Sequence, residues 1–132
     1  MILAIDFDGT ICRGKYPAID GQQPYAAETI NALYDAGHYI IINTCRSNDV
    51  LLTAINWLIS QGIRFHRVND NHPEQTALYK NNSRKIYAHI YVDDKNLGGF
   101  PGWHEARRII EQAEADYQAA RTDAINRVST IN

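Results

Sequence analysis

The chain opens on a short unbroken apolar run, Ile2-Leu3-Ala4-Ile5, which breaks off into Asp6-Phe7-Asp8-Gly9-Thr10. A brief apolar run bounded by turn residues suits a strand buried on both faces of a parallel sheet. The pattern recurs at His38–Asn43, ending at Thr44-Cys45-Arg46. A weaker version runs over Ile63–Val68, and a fourth over Ile86–Val92, ending in Asp93-Asp94. Helical spacing fills the gaps. Pro24 suits a first helical position, with Ala26, Ile30, Leu33 and Tyr34 on one face and Gly37 as the stop. Ser47 or Asn48 can cap a second helix with the stripe Leu51, Ile55, Leu58, Ile59, closed by Gly62. From Trp103 to about Val128 the pattern is helical again, with Ala106, Ile110, Ala113, Tyr117, Ala124 and Val128 on one stripe. Residues 11–23 carry no periodicity and read as a loop. Residues 69–83 are polar and ambiguous.

Strand–helix alternation of this kind implies an α/β fold with a parallel sheet, right-handed crossovers and helices on both faces. The expected architecture is a Rossmann-like three-layer sandwich. Its sheet is mostly parallel, with four strands or slightly more, in the order 3-2-1-4. One domain is expected over residues 1–132, the last helix covering about 103–128. In such sheets ligands bind beyond the carboxyl ends of the strands.

Composition narrows the classes of function. The chain has 132 residues, 45% of them apolar and 21% charged, as in an ordinary soluble domain. The net charge of −2 offers no global basic surplus for nucleic acid or an anionic membrane, though a local patch leaves nucleic acid open as a partner. No apolar run approaches the ~20 residues of a membrane span. Asp6 and Asp8 follow the apolar start with no cationic segment before it, so no signal peptide is expected. Cys12 and Cys45 form no disulfide framework, which suggests a reduced, cytoplasmic chain, with Cys45 a plain buried thiol. The five histidines share no metal-ligand spacing, and Tyr16, Tyr25, Tyr87 and Tyr91 read as packing residues.

The polar residues at the strand ends carry the chemistry. In a parallel sheet Asp6, Asp8, Thr44, Asp93 and Asp94 all arrive at one edge. Carboxylates that converge either raise one another's pKa or need a cation. Oxygen-only ligands with open positions favour Mg²⁺. A carboxylate beside Mg²⁺ can attack phosphorus, and a second one two residues on can serve as general acid and base.

Asp6-Phe7-Asp8-Gly9-Thr10 resembles the first motif of the haloacid dehalogenase (HAD) superfamily, Asp-x-Asp-Gly-Thr after the first strand. Thr44 is similar to its second motif, and Asp93-Asp94 to the acidic pair of its fourth. The resemblance covers roughly residues 1–102. It implies that Asp6 is the nucleophile and a metal ligand. It implies that Asp8 is the general acid/base and binds the metal through its backbone carbonyl. Thr44 would bind phosphate, Asp93 would ligate Mg²⁺ directly, and Asp94 would act through a water or hold the loop. Lys85 is the nearer match to the third-motif lysine, with Lys80 its rival. Arg46 either touches substrate or is a solvated loop residue.

The gaps between motifs are too short for the lid domain that many members carry, so the chain looks like a capless member. The expected activity is that of a Mg²⁺-dependent phosphatase working through an aspartyl phosphate. The alternatives are a phosphomutase-like phosphotransferase and a non-catalytic phosphate-binding module. The substrate would be a phosphate monoester, small or on a macromolecular end, with no membrane partner. The last helix is longer than a four-stranded sheet needs, so its outer half is a candidate contact with a second copy.

Overall fold

The computed structural model describes the backbone of residues 1–131 and side chains through Val128. Four strands form a parallel sheet: β1 (Ile2–Ile5), β4 (Tyr39–Ile42), β5 (Arg67–Val68) and β6 (Ile90–Val92), in the order β5-β4-β1-β6. This is the expected 3-2-1-4 order. A two-residue hairpin of β2 (Cys12–Arg13) and β3 (Gly21–Gln22) occupies the segment read as a loop. The helices are α1 (Ala26–Asp35), α2 (Asn48–Ser60), α3 (Pro73–Tyr79) and α4 (Trp103–Ile131).

Successive strand residues face opposite sides of the sheet. Leu3, Ile5, Ile40 and Ile42 point into the larger core, with Ile30 and Leu33 of α1, Leu58 of α2 and Trp103 and Ile110 of α4. Ile2, Ala4 and Ile41 point the other way, under Ile86, Tyr39 and Tyr91. His72, the N-cap of α3, lies against Tyr39 on that side. The sheet is therefore layered between helices, as the apolar runs require.

Two expected strands are shorter than the apolar pattern suggested, for the same reason. His66 N–H donates to the Ile40 carbonyl at 2.8 Å, while the Ile40 N–H donates to the His66 ring Nδ1 at 2.9 Å. His89 does likewise with Ile2, at 2.9 and 2.8 Å. An imidazole acceptor takes the place of a backbone carbonyl, so the regular ladder begins only after each histidine. Burial holds both rings below the ordinary histidine range, which keeps them neutral acceptors.

The last helix differs from its expected stripe. Trp103, Ala106 and Ile110 are buried, whereas Tyr117, Ile125 and Val128 are exposed. Only the first turns pack on the core. Among the described residues no helix is long and apolar enough to cross a membrane.

Candidate functional site

Parallel pairing brings the ends of β1, β4 and β6 to one edge. The Asp6 N–H donates to the Val92 carbonyl at 2.9 Å, and the Asn43 N–H to the Ile5 carbonyl at 2.8 Å. Each bond carries the ladder one step past the strand and fixes where the next side chains begin. One carboxylate oxygen from each of Asp6, Asp93 and Asp94 falls within 4.8 Å of the others. Burial, then hydrogen bonding to Asp94, then the charge of Asp93 push the Asp6 carboxyl from 3.8 up to about 7. Three oxygen donors strained in this way fit a hard divalent cation, which would relieve the repulsion.

Thr10 is fully buried beneath this triad and ties it together. Its hydroxyl can donate to Asp6 Oδ2 at 3.2 Å or to Asp94 Oδ1 at 3.4 Å, and it accepts the Asp94 N–H at 3.0 Å. The Trp103 indole N–H donates to the Thr10 carbonyl at 2.8 Å. Neither the hydroxyl nor the indole was legible as a site residue beyond the motif letter. Asp94 is thus tied to Thr10 through its backbone N–H and its carboxylate, and it stands in the triad itself.

Gly9 has no substitute here. Its φ is +81°, and a Cβ would sit 2.5 Å from Asp94 Oδ2. Gly9→Ala is expected to lower stability by about 1–3 kcal/mol and to weaken Mg²⁺ binding by displacing Asp94. Urea denaturation and a Mg²⁺ titration check both.

Asp8 stands apart from the triad. Its two carboxylate oxygens accept from Arg46 Nε and Nη2, each at 2.8 Å. Arg46 is thus neither a solvated loop arginine nor free for substrate: it is buried, and Asp8 holds its guanidinium above the ordinary range. The Asp8 side chain is turned to Arg46 and not to the triad.

Thr44 is held by Asn69. The Thr44 N–H donates to Asn69 Oδ1 at 2.8 Å, and Asn69 Nδ2 donates back to the Thr44 carbonyl at 2.9 Å. Thr44 Oγ accepts the Arg46 N–H at 3.1 Å, so its own O–H is available to donate outward. Asn69 lies in the polar, ambiguous stretch 69–83, where no sequence signal marks it.

The lysines are not brought to the triad. Lys85 is exposed, with Nζ 5.4 Å from the centre of the Tyr91 ring, two residues before Asp93. Lys80 ends α3 in a left-handed turn and is also exposed. The ammonium that does reach the triad is Lys95, 4.0 Å from Asp94 Oδ2.

No protein-family model matches the chain, and no curated protein matches it. A solved structure from Bacteroides thetaiotaomicron, described as a conserved protein coded by a locus of that organism, is 35% identical. The match covers 86% of this chain and 91% of that one, with a TM-score of 0.77. The chain belongs to that protein's family. The α/β fold with its parallel sheet is therefore a family property.

In this member of the family a cleft of about 740 Å³ lies between the N-terminal ends of α1 and α4. Gly9 and Asp94 form part of its wall, and Tyr25 stacks on His104 at 3.8 Å beside it. Asp6, Asp8 and Thr44 do not line it. Tyr16 and Tyr25 are mostly exposed rather than packed inside, and Cys45 is exposed rather than buried. Cys12 is buried, and burial followed by the Asp8 charge pushes its thiol up to about 11, which removes it as a nucleophile.

Proposed function

We propose that the chain is a Mg²⁺-dependent phosphatase of the HAD type, acting through an aspartyl phosphate. The observation that carries this reading is the pairing of two unlike carboxylates two residues apart. Asp6 sits in an acidic triad with Asp93 and Asp94, while Asp8 is held outside it by Arg46.

The Asp6, Asp93 and Asp94 carboxylates, with the Asp8 backbone carbonyl, would hold the cation. When bound, it supplies charge neutralisation for the triad and for the phosphoryl oxygens. An Asp6 oxygen attacks phosphorus, the bond to the leaving oxygen breaks, and Asp8 gives that oxygen its proton. Asp8 then takes a proton from water as the water attacks phosphorus, and the bond from phosphorus to Asp6 breaks to release phosphate. The Thr44 hydroxyl donates to a phosphoryl oxygen. Neither Lys85 nor Lys80 stands at the triad to supply a charge to that group. The chain has no lid domain between its motifs, so water reaches the intermediate, which favours hydrolysis over transfer to a second hydroxyl. A phosphate monoester, small or on a macromolecular end, is the substrate class this site suits.

The test is turnover of a generic aryl phosphate with Mg²⁺ and with a chelator. Release of phosphate only in the presence of Mg²⁺ is expected. Equal release in the chelator overturns the reading. Mg²⁺ binding without turnover of any phosphate ester in a panel makes the chain a binding module instead, and a phosphorylated second product makes it a transferase.

A further inference from the structure

Arg46 spends every nitrogen of its guanidinium on fixed partners. Nε and Nη2 take the two oxygens of Asp8, each at 2.8 Å. Nη1 donates to the Val50 carbonyl at 3.1 Å, and Nη2 also to the Pro17 carbonyl at 2.9 Å. The Phe7 and Tyr16 rings lie on it, each with its centre 5.1 Å from Cζ. The Arg46 side chain is 1% exposed, whereas that of Asp8 is 32% exposed. A planar fork on a carboxylate fixes the plane of that carboxylate as well as its position, which a point charge does not.

This arrangement answers a difficulty in the site. Asp8 is two residues from Asp6, and a divalent cation on the triad would attract a further carboxylate as a ligand. A ligated Asp8 could not reach a substrate oxygen. We infer that Arg46 is a positioning residue: its fork keeps the Asp8 carboxylate off the cation and aimed at the substrate. It acts through Asp8 and does not touch substrate. The inference rests on the phosphatase reading. It adds that the hairpin segment carrying Tyr16 and Pro17 belongs to the site, because it closes over Arg46 from outside.

The test is a double-mutant cycle of Arg46→Lys and Asp8→Asn. Arg46→Lys keeps the charge and removes the fork. With an aryl phosphate, kcat is expected to fall by about 10- to 100-fold with KM little changed, as for a misaimed reacting group. In the Asp8→Asn background the same substitution is expected to cost no more than about twofold, the mark of two residues that act as one. Mg²⁺ binding by calorimetry supplies a readout apart from activity. Arg46→Lys is expected to bind Mg²⁺ about threefold or more tighter as Asp8 joins the ligands, and to lose that gain when Asp8 is Asn. Thermal midpoints establish that each variant folds. If Arg46→Lys does not fold, Tyr16→Ala takes its place in the cycle, since Tyr16 is 58% exposed and its removal loosens Arg46 from the surface side.

Equal losses with and without Asp8, or unchanged Mg²⁺ affinity in Arg46→Lys, overturn the inference while leaving the phosphatase reading standing. A wild-type protein without turnover removes that reading, and the inference with it.

Discussion

At pH 8 without metal, Asp6→Asn is expected to be more stable than the wild type, with its turnover of phosphate esters nearly abolished. Loss of activity follows from the role proposed for Asp6: an amide cannot supply the attacking oxygen, and a fall of roughly 10³-fold or more in kcat is expected. The gain in stability follows from the site without reference to catalysis. The Asp6 carboxyl is raised to about 7 by burial first, then by Asp94 and Asp93. A carboxyl raised on folding binds its proton more tightly in the folded chain. Its contribution is therefore fully present below the unfolded value near 3.8, and is lost as pH rises from there through about 7. Metal-free wild type is expected to lose stability between pH 5 and pH 8, on the order of 2 kcal/mol, less than full electrostatic conversion because the group is partly solvated. Asp6→Asn flattens that slope. Mg²⁺ restores the wild type at pH 8 and does little for the variant, since binding to the folded state alone stabilises it. Thermal melts at the two pH values, with and without Mg²⁺, read all of this. An Asp6→Asn protein no more stable than wild type at pH 8 would sink the account.

Trp103→Ala is the substitution expected to damage the fold most. Trp103 is 2% exposed and begins α4, the helix whose first turns close the larger core. Its ring meets Phe100 edge-on at 5.2 Å, and its indole N–H donates to the Thr10 carbonyl at 2.8 Å. Removing the ring leaves a cavity and costs about 3–5 kcal/mol. Trp103→Phe separates the two contributions. It keeps most of the packing, leaves the Thr10 carbonyl without its indole donor, and costs about 1–2 kcal/mol. Because Thr10 bridges Asp6 and Asp94, Trp103→Phe also lowers Mg²⁺ affinity. Urea denaturation and Mg²⁺ titration measure the two effects. A Trp103→Ala protein within about 1 kcal/mol of wild type shows that α4 is not needed to close the core.

How far the chain was legible depends on how local each feature is. β1 is visible because Ile2-Leu3-Ala4-Ile5 must be hidden on both faces, and the same holds for Tyr39–Ile42. The third and fourth strands read too long, because Ile63 and Ile86 are buried without belonging to a ladder. The rings of His66 and His89 accept the neighbouring N–H groups where a strand was expected. A histidine in an apolar run gives no sign of that role. α3 was missed in the polar stretch because a seven-residue helix that buries none of its side chains leaves no apolar stripe. In the outer half of α4 Tyr117 meets the His89 ring edge-on at 5.3 Å, while Ile125 and Val128 are exposed, so periodicity showed the helix but not what covers it.

The candidate site divides in the same way. Asp6, Asp8, Thr44, Asp93 and Asp94 could be named from the chain because each follows a strand signal, and parallel strands deliver such residues to one edge. Which carboxylates gather in one triad and which stands apart was not visible, because the difference lies in partners far along the chain. Arg46 reaches Asp8 across 38 residues, Trp103 reaches Thr10 across 93, and Asn69 reaches Thr44 across 25. Local spacing decided the strands and the acidic residues that follow them, since hydrophobic burial and turn chemistry act over a few residues. Only the tertiary structure decided that Asp8 is held apart from the triad and that Arg46 is the residue that holds it. A fork of hydrogen bonds depends on where two side chains meet in space, and no pattern along the chain records that.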